Sequence, residues 1–85
     1  MQLFETLRLD SGKFSRLMYH YDRIKHSANQ FQMTFEDAQW NKTISEIKGL
    51  YFTGTYRVKI ILHSNGIFKY EVAELPQKDL SLIHI

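Results

Sequence analysis

Cysteine is absent from these 85 residues and proline occurs once. Without cysteine there is no disulfide framework, and no histidine or acidic spacing of the metal-ligand kind replaces it. A chain this short buries only about 60–65% of the surface its unfolded form exposes. With no staple or structural metal to help, the expected source of extra stability is oligomerisation, and a homo-oligomer is the expected state. No apolar run reaches the ~18 residues of a membrane span. The opening MQLFETLRLD carries an acidic residue where a secretory signal needs basic and then apolar ones. The expectation is a cytoplasmic protein with no membrane partner. Charge of one sign is also scarce: 11 Lys and Arg against 9 Asp and Glu leave a net charge of +2. That balance, scattered along the chain, gives no basic stripe, so no nucleic-acid partner is expected.

Aromatic residues, in contrast, are plentiful, with 6 Phe, 5 Tyr and 1 Trp. A chain so rich in them and so poor in proline has enough large apolar surface for a packed core. Leu3 to Leu9 alternates as a strand does, with Leu3, Glu5, Leu7 and Leu9 on one face and Phe4, Thr6 and Arg8 on the other. Asp10-Ser11-Gly12 reads as a three-residue turn with Gly12 left-handed, returning through a short strand over Lys13 to Arg16. From Leu17 the period lengthens. Leu17, Tyr21, Ile24, Ala28 and Phe31 fall on one helical face, with His20, Arg23 and Ser27 on the neighbouring stripe.

A second helix is expected after a cap at Thr34, with Glu36 and Asp37 in its first turn and Trp40, Ile44, Ile47 and Tyr51 on its apolar side. Gly49 or Gly54 marks its end. The segment from Tyr56 to Leu75 reads as a hairpin about Ser64-Asn65-Gly66. A two-residue loop there would set Ile60 against Glu71 and Leu62 against Lys69. A three-residue loop pairs Val58 with Val72, Ile60 with Tyr70, Leu62 with Phe68 and Lys59 with Glu71, satisfying packing and charge together. After the break at Pro76 to Asp79, Leu80 to Ile85 reads as a further strand. The expected fold is α+β, a single-domain two-layer sandwich in the order β-β-α-α-β-β-β, with a mainly antiparallel sheet and two helices on one face.

Three patterns stand in order along the chain: Phe4-Glu5-Thr6 with Arg8, then His20-x-x-Arg23 followed by Ser27-Ala28, then Tyr56-Arg57-x-Lys59. Together they resemble the amino-terminal domain of the class IV pyridoxal-phosphate-dependent aminotransferases, a family that includes branched-chain and D-amino-acid aminotransferases and aminodeoxychorismate lyase. The start at LFET is most similar to compact, lyase-like members. The resemblance implies that Arg23 binds the phosphate of pyridoxal 5'-phosphate, a role suited to a planar, permanently charged guanidinium. It also implies that Phe4 and Arg8 border the substrate pocket, Arg8 as the partner of a substrate carboxylate.

On the residues alone, Arg23 reads as a solvated helix residue and Arg8 as a solubilising or cross-strand group. Phe4 reads equally as core or interface, His20 as a packing or capping group, and Glu5 as paired or at a rim. The family's Schiff-base lysine follows this domain, and none of the lysines from Lys13 to Lys78 stands in its context. The chain is therefore expected to be a truncated or partial enzyme, with no catalytic residue of its own, no tightly bound cofactor and no activity alone. Its substrate in a complete enzyme would be an amino acid or an aminodeoxychorismate-like compound. The competing expectation is a noncatalytic module that self-associates.

Overall fold

A computed structural model describes residues 2–75. Strand β1 (Gln2–Asp10) turns back through β2 (Lys13–Phe14), and helices α1 (Leu17–Gln30) and α2 (Asp37–Leu50) follow. Strands β3 (Thr55–His63) and β4 (Phe68–Glu74) complete the order. The four strands form one antiparallel sheet, ordered β2-β1-β3-β4. This is the expected α+β arrangement up to β4; the further strand read over Leu80 to Ile85 lies outside the described residues.

The core sits between the helices and one face of the sheet. Leu7 and Leu9 of β1 and Val58, Ile60 and Leu62 of β3 are buried against Ile24 and Ala28 of α1 and Trp40, Ile44 and Ile47 of α2. Tyr21, Phe35, Trp40 and Phe68 close one end with edge-on ring contacts, Phe35 on Phe68 at 5.6 Å and Trp40 on Phe68 at 5.8 Å. The β3–β4 register pairs Val58 with Val72, Lys59 with Glu71, Ile60 with Tyr70 and Leu62 with Phe68, as the cross-strand argument requires. His63 donates its N–H to the Ile67 carbonyl at 2.9 Å around the three-residue loop, and Gly66 takes φ 89°.

Four details differ from the sequence expectation. Asp10 pairs directly with Lys13, so the first turn has two residues, Ser11 and Gly12, both left-handed at φ 50° and 78°. Such a turn matches the twist of the strands that it joins. Strand β2 ends at Phe14 rather than Arg16, because Arg16 takes a left-handed backbone (φ 55°, ψ 39°) that swings the chain into α1. Helix α1 closes without glycine: Gln32 takes φ 56° and donates to the Asn29 carbonyl, and Met33 donates to the Ala28 carbonyl at 2.7 Å. This paired closure turns Met33 into the core and leaves Phe31 outside the helix and 51% exposed. Finally, α2 begins after an extended Glu36 rather than at a Thr34 cap. Its first turn is tied to α1 by Asp37, which accepts the Tyr21 hydroxyl at 2.6 Å.

No helix among the described residues is long and apolar enough to cross a membrane.

Candidate functional site

Strand alternation sends Glu5 inward with the core residues Leu7 and Leu9, although a carboxylate there must find partners or stay costly to bury. It finds two, both on α1. His20 donates Nδ1–H to Glu5 Oε1 at 2.7 Å, and Arg23 places Nε 3.3 Å from Glu5 Oε2. His20 and Arg23 are three residues apart, which puts them on the same side of the helix. The Glu5 side chain is only 8% exposed and that of His20 16%, while Arg23 remains 60% exposed. The first motif and the second are thus joined by one carboxylate.

Arg23 has a further partner. It donates Nη1–H to the Tyr19 hydroxyl at 3.2 Å, one helical turn back. The Tyr19 hydroxyl, and then the Glu5 carboxylate, hold the Arg23 guanidinium above its ordinary pKa. Tyr19 also lies under the guanidinium of Arg16, 4.4 Å from its ring centre. A guanidinium carries five N–H donors. Glu5 faces one of Arg23's and Tyr19 accepts another, so the remaining donors are available to an anion.

Phe4 and Arg8 lie on the other side of the sheet. They share the outer face of β1 with Thr6, as the alternation requires, and Phe4 is 57% exposed. Lys59 sets its ammonium 4.5 Å above the Phe4 ring. Arg8 stands directly opposite Arg57 across the β1–β3 ladder, and Thr6 opposite Lys59. Thr6, Arg57, Lys59, Glu71, Val72 and Ala73 line a shallow hollow of about 410 Å³ on that face.

Of the residues selected from sequence, Arg23 therefore sits on the helix side of β1, and Phe4 and Arg8 on the reverse side. The structure does not gather the three on one face; what they share is β1 itself. Its pairing with β2 covers only Leu9 and Asp10, so among the described residues no strand lies along its second edge from Gln2 to Leu7.

Sequence reasoning missed Tyr19 and Arg16. Tyr19 was legible in principle, since it precedes Arg23 by four residues on a helix. Arg16 was not, because its left-handed backbone carries no sequence mark.

The sequence matches the family described as amino-transferase class IV over residues 2–84. The fold is similar to the crystal structure of a candidate 4-amino-4-deoxychorismate lyase from Haemophilus somnus 129PT, with a TM-score of 0.70 and 22% identity. The similarity covers 89% of this chain and 41% of that one, so the chain spans about two fifths of its structural relative. No curated protein matches.

Proposed function

Because the chain belongs to the class IV aminotransferase family, we propose that it is the amino-terminal part of a cytoplasmic, pyridoxal-phosphate-dependent aminotransferase or aminodeoxychorismate lyase. The observation that carries this reading is the grip on Arg23. The arginine of the second motif is held at Nε by a buried carboxylate from the first, while its outer donors stay accessible. Those donors fit a phosphate, and no rearrangement of the fold is needed to offer them.

When bound, the cofactor supplies an electron sink for reactions at the carbon that bears the substrate amino group. Arg23 holds the phosphate end. Phe4 provides an apolar wall on the outer face of β1, and Arg8 pairs with a carboxylate of the amino-acid or aminodeoxychorismate-like substrate. The covalent lysine comes from a second domain, so the chain is inactive alone.

The test is a chimera in which this chain is followed by the lysine-bearing domain of a class IV enzyme. The isolated chain gives no turnover with amino-acid or aminodeoxychorismate substrates, the chimera does, and Arg23→Ala in the chimera raises the cofactor concentration needed for half-maximal activity. Turnover by the isolated chain, or a chimera indifferent to Arg23→Ala, refutes the reading.

The edge of β1 that no strand among the described residues covers, and the exposed Phe4, favour a second reading, a homo-oligomer or self-associating module formed by strand pairing. Size-exclusion chromatography across concentration decides it, since a strictly monomeric chain is incompatible with it.

A further inference from the structure

Among the described residues Glu5 is the only buried charged side chain, and the function proposed above names it only as the carboxylate beside Arg23, without saying what that contact does for binding. An apolar residue would suit its position better. Its neighbours on the same strand face, Leu7 and Leu9, are core, and a buried ion pair is weak evidence of stabilisation in its own right. We infer that Glu5 is a positioning residue for Arg23: it fixes the guanidinium in advance so that the outer donors meet a phosphate without reordering. This inference rests on the phosphate role of Arg23.

The geometry supports it in three ways. An ion pair at Nε, 3.3 Å from Glu5 Oε2, ties the base of the guanidinium to the strand and leaves the side chain 60% exposed. Tyr19 takes one of the terminal nitrogens at 3.2 Å, so two contacts on different atoms define the orientation of an otherwise flexible side chain. His20 occupies the other Glu5 oxygen at 2.7 Å, which stops the carboxylate from rotating away from Arg23. Arginine loses much rotamer freedom when immobilised, and a site that has already taken that loss binds more tightly.

A plain charge-balancing role makes the opposite prediction. Glu5 is negative and lies beside an anion-binding group, so by charge alone it weakens phosphate binding. Removing it would then strengthen binding. The sign of the effect separates the two roles.

The experiment titrates the 85-residue chain with inorganic phosphate at constant ionic strength and follows the Arg23 Nε–H resonance by NMR. In the native chain this proton exchanges slowly and shifts with phosphate. Glu5→Met, which removes both acceptor oxygens, removes the protection and weakens phosphate binding about three- to tenfold, the factor for immobilising a side chain at the moment of binding. Glu5→Gln, uncharged but with one acceptor oxygen, recovers part of the loss. Equal or tighter binding in both variants overturns the inference, as does an Arg23 N–H that stays protected in Glu5→Met. If Glu5→Met does not fold, tighter binding by Glu5→Gln is still decisive against it. An Arg23 resonance in the native chain that ignores phosphate overturns the phosphate role itself, whereas lost protection in Glu5→Met then still supports the anchor.

Discussion

Replacing His20 by alanine strands one oxygen of a carboxylate that is only 8% exposed, whereas replacing Arg23 by alanine removes a partner that is itself 60% exposed. The two variants should therefore differ in stability although both delete a contact to Glu5. An unsatisfied buried acceptor costs about 1–3 kcal/mol, so we take about 2 for His20→Ala. A pair screened on one side by water is worth about 0–1 kcal/mol, which bounds Arg23→Ala. For a chain of this length total stability is about 4–13 kcal/mol, so a loss of 2 is readable.

Urea unfolding at pH 7, followed by fluorescence of the buried Trp40, measures the difference. With a slope near 1 kcal/mol/M, the midpoint falls about 2 M in His20→Ala and less than about 1 M in Arg23→Ala. Adding Glu5→Met to His20→Ala should restore stability, because it withdraws the stranded carboxylate and supplies an apolar side chain of similar length. If Arg23→Ala is as damaging as His20→Ala, or if Glu5→Met worsens the His20→Ala chain, the assignment of the buried partner is wrong.

Three further outcomes are expected. A Cβ at Gly66 would stand 2.8 Å from Thr34 Cγ2 at φ 89°, so Gly66→Ala should cost about 1–2 kcal/mol for the backbone alone and more for the clash. Adding Thr34→Ser should recover only the clash, and full recovery in urea midpoints would show that the backbone is unstrained. The Tyr70 hydroxyl, donated to Glu46 Oε2 at 2.7 Å and partly buried, is pushed up to about 12, so the folded state favours the neutral phenol. Its stabilisation is present below the ordinary value of 10.0 and fades as pH rises from there toward about 12. Tyr70→Phe should lose less stability across that window than the native chain, and equal losses would remove Tyr70 as the cause. Arg8→Glu should place opposite charges across the ladder at Arg57 and gain about 0.2–1 kcal/mol, seen as a higher melting temperature. A lower one would mean that Arg8 already has a favourable partner.

Much of this architecture was legible because its periodicities are clean. The inward set Leu7, Leu9, Val58, Ile60 and Leu62 follows from alternation, and the β3–β4 register follows from requiring both Val58 with Val72 and Lys59 with Glu71. Boundaries were less legible where the backbone takes left-handed values at ordinary residues. Ser11, Arg16 and Gln32 all have positive φ without being glycine, and each moved a turn or helix end away from its expected place. Asn, Asp and Gly advertise such geometry, whereas Arg and Gln do not.

By itself the sequence determined the two-layer α+β pattern, the placement of Phe4 and Arg8 on one strand face opposite Leu7 and Leu9, and the family, through short motifs in fixed order. It could not determine what Glu5 was for. Alternation placed a carboxylate on the core side of β1 and left it either paired or at a rim. Only the packing of α1 across that strand brought His20 and Arg23, distant in the chain, within 2.7 and 3.3 Å of its two oxygens. Only the same packing set Arg23 on one side of β1, with Phe4 and Arg8 on the other. Period fixes the face on which a residue lies, but its partners depend on how separate elements cross, and that is decided by the burial of the whole core.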